Sequence, residues 1–119
     1  MKPNISSQML KGILQGVMLM ILVKKPDYGY GISKQINRYG LDDIPKGTIY
    51  PLLTMMEKRG LVEGKMQPSA AGPDRKYYFI TSDGIVAKQQ FIKEWQFLES
   101  AVNQLIDEGT TIDENKRND

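Results

Sequence analysis

At 119 residues, with 40% hydrophobic and 25% charged side chains, the chain is sized and composed like one globular domain with a modest core. It holds no cysteine and no histidine, which excludes a thiolate nucleophile, a disulfide framework, a zinc finger and every histidine-dependent triad. The net charge of +2 conceals a division: residues 1–80 carry 12 Lys/Arg against 6 Asp/Glu, and residues 81–119 carry 4 against 8. Such asymmetry points to a part that binds a polyanion and a part that stays off it.

The N-terminus lacks the basic start and small-residue cleavage site of a signal peptide. The densest apolar run, residues 17–23, is far too short to cross roughly 30 Å of hydrocarbon. A cytoplasmic protein without a membrane span is expected. The first segment, about 7–24, is rich in Leu, Ile and Met, and Met9, Ile13, Val17, Met20 and Ile21 recur at helical spacing. This predicts a core helix. Lys24, Lys25, Pro26 and Asp27 then form a break, because Pro26 disfavours helical geometry in the residue before it. A second helix begins near Tyr28 to Tyr30, with Ile32, Ile36 and Tyr39 as its buried stripe and Gly40 as a left-handed stop.

After the acidic link Leu41, Asp42, Asp43, a third helix is announced by Pro45, whose ring suits the first helical position. It is predicted to run to Arg59, with Gly60 as its cap. Ile49, Leu52, Leu53 and Met56 form its apolar face. The opposite face carries Lys46, Thr48, Tyr50, Thr54 and Lys58, which are cations and hydroxyls without a carboxylate. Pro51 is an irregularity, since its ring presses on the carbonyl of Gly47, where the missing side chain eases a local kink.

Two strand-like runs follow, 61–67 and 75–80, the second alternating Tyr77 and Phe79 with Tyr78 and Ile80. They are expected to pair as an antiparallel hairpin with a flexible or irregular loop over 68–74, flanked by Lys65, Arg75 and Lys76. Three helices and then a hairpin with a basic loop are the elements of a winged helix-turn-helix. Thr81 can cap a last helix, with Asp83 in its first turn. Phe91, Trp95, Leu98, Val102 and Leu105 are spaced 4, 3, 4, 3, a heptad seam that Ile85, Ile92 and Ile106 broaden. A helix of about 26 residues reaches roughly 39 Å at 1.5 Å per residue, longer than a small domain needs for itself. A second copy of the chain is the expected partner. From Gly109 the sequence is polar and charged, which predicts a disordered tail. The reading is therefore mainly α with a small β-hairpin: a DNA-binding part over 1–80, a dimerisation helix over 81–108 and a tail over 109–119.

Three ordered motifs now resemble the PadR family of transcriptional regulators, in its short subgroup with a single C-terminal helix. They are Tyr28-Gly29-Tyr30-Gly31-Ile32; Gly47-Thr48-Ile49-Tyr50-Pro51-Leu52-Leu53 followed by Glu57-Lys58-Arg59-Gly60-Leu61; and Gly72-Pro73-Asp74-Arg75-Lys76-Tyr77-Tyr78 followed by Ile80, Thr81 and Gly84. The similarity covers about residues 14–105. Two departures stand out: Ile44 precedes Pro45 where the family often has a capping residue, and the wing tip Ser69-Ala70-Ala71 has no cation.

A two-fold dimer of such modules is expected to bind an inverted-repeat operator; the resemblance implies repression by blocking polymerase, and no cofactor or metal is expected. In a helix-turn-helix, side chains near the start of the second helix reach base edges. Lys46, Thr48 and Tyr50 are the candidates, as donors to guanine or contacts to thymine methyls. Tyr28, Tyr30, Lys34, Thr54 and Lys58 are either phosphate positioners or plain surface residues. Lys65, Arg75 and Lys76 are expected on backbone phosphate, and Tyr77 and Tyr78 in packing.

Members of the subgroup that sense drugs are similar in placing one Trp where this chain has Trp95. That implies a slot for planar, often cationic compounds, a multidrug response, with Phe91, Ile92, Leu98 and Glu99 as further lining and Met9 and Ile13 as contributors. Trp95 is either that sensor or a filler of the dimer seam. A winged helix can instead serve as a protein-interaction module, which dimerisation without DNA binding would reveal. An enzyme is not expected: carboxylates are scattered, and no phosphate loop, metal-ligand spacing or paired base and nucleophile occurs.

Overall fold

The computed structural model describes residues 5–41 and 44–117, the side chains of Lys46 and of residues 110–117 excepted. In chain order the elements are α1 (Ser7–Leu22), β1 (Asp27–Tyr28), α2 (Gly29–Arg38), α3 (Lys46–Lys58), β2 (Val62–Ser69), β3 (Gly72–Ile80) and α4 (Ser82–Arg117). The chain divides into two compact units between Lys88 and Gln89, inside α4.

Helix α1 starts where Ser6 Oγ accepts the Met9 N–H at 3.2 Å, satisfying one of the free donors of a helix N-terminus. Its buried face is Leu10, Leu14, Met18, Leu19, Ile21 and Leu22; of the stripe expected from spacing, Met9, Ile13, Val17, Met20 and Ile21, only Ile21 is buried. Met9 is 65% exposed. The reason is compositional: a helix apolar on nearly every side has several stripes of equal merit, and only its neighbours choose one.

The break after α1 contains an unexpected strand. Asp27 pairs with Tyr78 and Tyr28 with Tyr77, so β1 becomes the third strand of an antiparallel sheet ordered β1-β3-β2. Two residues are too few to show an alternation in sequence. The Asp27 carboxylate accepts the Tyr28 N–H at 2.9 Å and the Gln35 amide at 2.7 Å, and it occupies the space where a side chain at Gly31 would stand.

Helix α2 buries Ile32 and Ile36 and ends before Gly40, whose φ of +87° is the left-handed geometry expected of a helix stop. Tyr39 is not part of the buried stripe. It is the C-cap residue, 64% exposed, and its hydroxyl accepts from Lys24 Nζ at 2.9 Å. That hydrogen bond to a cation holds the Tyr39 phenol below its ordinary pKa.

Helix α3 buries Ile49, Leu53 and Met56, with Leu52 half-buried beside them. Pro45 stands as the N-cap rather than the first helical residue, and no side chain caps this end. Pro51 offers no N–H to the Gly47 carbonyl, yet the helix continues to Lys58. Gly60, at φ +76°, turns the chain into the hairpin.

The strands of that hairpin are longer than expected. Residues 68–74 do not form an irregular loop: β2 and β3 pair as far as Ser69 and Gly72, leaving only Ala70 and Ala71 as the turn. The register shifts between Gln67 and Ser69. Pro68 and Pro73 lie at that shift, and neither has an N–H for the ladder, so a bulge absorbs both.

Thr81 joins these parts to α4. Its hydroxyl donates to the Gly60 carbonyl at 2.6 Å and accepts the Gly84 N–H at 3.0 Å. Gly84 is buried against the Leu61 carbonyl, which leaves no room for a Cβ. The core is one cluster drawn from α1, α2, α3 and the sheet, closed by Val62 and Tyr78. Helix α4 continues past Gly109, where a tail was expected, as far as Arg117. Polarity removes packing but not helix propensity, and a lone glycine costs a helix only about 1 kcal/mol. Residues 118 and 119 lie outside the described residues.

Candidate nucleic-acid interface

Helices α2 and α3 with the link between them form the helix-turn-helix, and α3 is its second helix. Burial of Ile49, Leu53 and Met56 turns Tyr50, Thr54 and Lys58 outward, while Thr48 is half-buried. Tyr50 is 49% exposed, yet its ring is held in place because it lies directly on Gly29, whose missing side chain makes room for it. Tyr30, Ser33, Ile49 and Tyr50 line a shallow pocket of about 50 Å³ between the two helices. The Thr54 hydroxyl donates to the Tyr50 carbonyl at 3.1 Å, so only its lone pairs remain for an outside donor. The Lys46 side chain lies outside the described residues.

Beside this face runs a ladder of aromatic rings and cations. The Arg75 guanidinium stands 4.6 Å from the centroid of Tyr28. Tyr28 meets Tyr77 at 5.4 Å and Tyr30 at 6.2 Å, both tilted, and Lys34 Nζ lies 4.7 Å from the centroid of Tyr30. One continuous path therefore leads from β3 through β1 to α2, with a cation at each end. A guanidinium held over an aromatic face is oriented without using its N–H donors, which lie in its own plane and stay available to phosphate oxygens.

The hairpin sorts its own cations. Pairing of Lys65 with Tyr77 and of Gln67 with Arg75 puts Lys65 and Arg75 on one face of the sheet with Tyr77 and Phe79. Lys65 Nζ lies 5.2 Å from the Phe79 ring. Lys76, next in sequence to Arg75, falls on the opposite face with Tyr78. There its Nζ donates to Glu57 Oε1 at 2.8 Å. That bond holds the Glu57 carboxyl below its ordinary pKa and the Lys76 ammonium above its own. Burial pushes the Tyr78 phenol up.

Tyr28, Tyr30, Lys34 and Arg75 are thus connected through rings, Tyr50 joins them through the pocket it shares with Tyr30, Lys65 shares a sheet face with Arg75 but stands over Phe79, and Lys76 stands apart. Sequence reasoning missed Glu57, Gly29 and the mounting role of Tyr77. Glu57 is the only carboxylate in α3, which was the available signal.

The seam residues of α4 form a second candidate site. Trp95 is 42% and Leu105 68% exposed, Leu98, Val102 and Glu99 are exposed, and Phe91 and Ile92 are half-buried. Phe97, outside the seam, is more exposed than Trp95, Leu98, Val102 or Leu105, at 79%. Among the described residues no cluster of metal-ligating side chains occurs, and no helix is long and apolar enough to cross a membrane.

A helix-turn-helix followed by a β-hairpin wing, with stacked cations at the surface, defines the winged helix-turn-helix class. The PadR-like transcriptional regulator family matches residues 18–90, and the chain belongs to that family. A PadR-like transcriptional regulator from Bacillus cereus is 42% identical, with a TM-score of 0.76 over 84% of this chain and 97% of that one. A Streptococcus transcriptional regulator is 38% identical, with a TM-score of 0.76 over 84% and 98% of the two chains. An uncharacterized protein of Lysinibacillus sphaericus is 30% identical over 105 residues, 87% of this chain and 93% of the relative. The function is accordingly DNA-binding regulation of transcription, not enzymatic catalysis.

Proposed function

We propose that the protein is a homodimeric repressor that binds an inverted-repeat operator and releases it when a planar hydrophobic or cationic compound binds near Trp95. Residues 1–80 bind DNA in this reading and residues 81–108 join two copies. The observation that carries it is the ladder from Arg75 to Lys34, alongside the outward side chains of α3. A row of oriented cations next to exposed hydroxyls suits phosphate contact on either side of base readout. Lys46, Thr48 and Tyr50 read base edges, with Tyr28, Tyr30, Lys34, Thr54, Lys58, Lys65 and Arg75 on the backbone.

One such module makes few contacts, and a second half-site at high effective concentration multiplies its affinity. The exposed seam Trp95, Leu98, Val102, Leu105 supports association of two copies through α4. An apolar slot bounded by two such helices, with Glu99 to meet a cation and Phe91, Ile92 and Leu98 as walls, would hold a flat ligand. A ligand that prefers one spacing of the two recognition helices shifts the population away from the DNA-bound form.

The test is selection of duplexes from a random pool by the full-length protein, followed by anisotropy titration across salt concentrations. An enriched inverted repeat with half-sites about 10 bp apart is expected, with affinity falling steeply as salt rises. A stable dimer that enriches no sequence would make the winged helix a protein-interaction module. Titrating Trp95 fluorescence with planar hydrophobic cations and with phenolic compounds tests the sensor. Saturable quenching at one ligand per dimer, with operator release, supports it; no saturable response leaves Trp95 as dimer core.

A further inference from the structure

The Lys76–Glu57 pair has an architecture that a chance surface contact lacks. Glu57 sits in the last turn of α3, the helix that faces DNA, and its two oxygens reach both strands of the wing. Oε1 accepts from Lys76 Nζ of β3 at 2.8 Å, and Oε2 accepts the backbone N–H of Gly64 in β2 at 3.1 Å. Strand β2 is at the edge of the sheet, so this carboxylate also satisfies an edge donor. Register pairs Gly64 with Tyr78 and Met66 with Lys76, and the Lys76 chain folds back diagonally across Gly64. A Cβ at Gly64 would collide with the Lys76 methylenes and approach Glu57 Oε2. The glycine is therefore a notch through which the lysine reaches its partner. Lys76 also lies 5.5 Å from the Tyr78 ring.

Half-exposed ion pairs add little to stability. What this one can do is geometric: it links the end of the recognition helix to both wing strands at once. Arg75 and Lys65, on the other face, are aimed by the same strands.

We propose that Glu57 is a positioning residue for DNA binding, clasping the wing to α3 through Lys76 and Gly64 so that Lys65 and Arg75 meet phosphate while Lys76 does not. This rests on the DNA-binding reading above.

The simplest competing view, in which Lys76 is one more phosphate contact, predicts effects of opposite sign. Under it Lys76→Met weakens binding, and Glu57→Ala tightens binding by freeing the lysine and removing a negative charge near DNA. The clasp predicts that both weaken binding by a similar factor, about fivefold, and that the double variant is no worse than either single one. Because a loosened wing can still lay Lys65 and Arg75 on phosphate, at the added cost of ordering it on binding, Lys76→Met should leave the slope of log affinity against log salt unchanged, whereas loss of a phosphate contact made by Lys76 itself would lower it by about 0.9. Glu57→Gln, which keeps one acceptor oxygen and so can hold only one of the two partners, should weaken binding less than Glu57→Ala. Gly64→Ala, which alters no charge, should weaken binding with the slope unchanged.

The experiment uses the full-length protein and the duplex selected by the wild type, with thermal melts confirming that each variant is folded. Weakening in all three of Lys76→Met, Glu57→Ala and Gly64→Ala, at constant slope, is the expected result. Tightening by Glu57→Ala, or a reduced slope in Lys76→Met, overturns the clasp while leaving DNA binding intact. Failure of the wild type to select any duplex overturns the functional reading instead.

Discussion

The winged unit and the part of α4 beyond Lys88 solve opposite problems with similar amino acids. In the winged unit Leu14, Met18, Leu19, Ile32 and Leu53 are wholly buried within the chain, and the large side chains left outside include tyrosines on which cations are stacked. Beyond Lys88, the residues of the same apolar kind, Leu98, Val102, Leu105 and Ile106, are exposed. Helix alone gives such a segment little stability in water, and most helical stability comes from packing an apolar face. One part is thus complete in itself and its surface is free for DNA. The other presents the exposed apolar seam on which the proposed dimer rests.

The sharpest way to break this contrast is to charge the seam. Leu98→Glu with Leu105→Glu in the full chain should yield a monomer by sedimentation that keeps a cooperatively folding winged unit. Its operator affinity should fall by about two to four orders of magnitude as the second half-site is lost. A variant that stays dimeric would place the interface elsewhere. Next in size is the core of the winged unit: Leu53→Ala should cost about 2–5 kcal/mol in denaturant unfolding, with dimerisation retained by what remains folded.

A smaller effect separates the two faces of the wing. Arg75→Ala should weaken operator binding about tenfold, as expected for a charge-assisted contact, and reduce the salt slope by about 0.9. Anisotropy titrations at several salt concentrations measure both, and an unchanged slope would remove Arg75 from the phosphate contacts.

The smallest effect is a pH dependence. Glu57 is held below its ordinary pKa of 4.5, so its contribution is fully present above that value and is lost as pH falls through the lower, folded value. Lys76 is raised above 10.5, so its share is present below 10.5 and is lost as pH rises through the folded value. Between those limits the clasp is intact. The melting temperatures of the wild type and Glu57→Gln should therefore differ most near neutral pH and converge in acid; a difference that grows on acidification would contradict the assignment.

How much of this was legible in the sequence depended on whether a local rule had one solution or several. The apolar face of α3 was legible because Lys46, Thr48, Tyr50, Thr54 and Lys58 mark the opposite side, leaving Ile49, Leu52, Leu53 and Met56 at helical spacing. Gly40 and Gly60 were legible as helix stops because positive φ is nearly glycine's alone. Thr81 was legible as a cap from its place before an acidic first turn. Helix α1 was not, because almost every face of it is apolar and the choice fell to α2, α3 and the sheet. Strand β1 exists only because β3 offers it a partner, and the length of the hairpin depended on how Pro68 and Pro73 could be absorbed together.

For the site, the residue types were legible and their grouping was not. Sequence alone determined a helix-turn-helix with a wing, cations and hydroxyls on the recognition helix, and a heptad seam on the last helix, since each follows from short-range periodicity and turn chemistry. The period of two already put Arg75 and Lys76 on opposite faces of the predicted strand; only the tertiary structure decided that Tyr28 carries the arginine and that Glu57 takes the lysine. Those outcomes depend on strand register and on contacts between residues far apart in sequence, which no local pattern encodes.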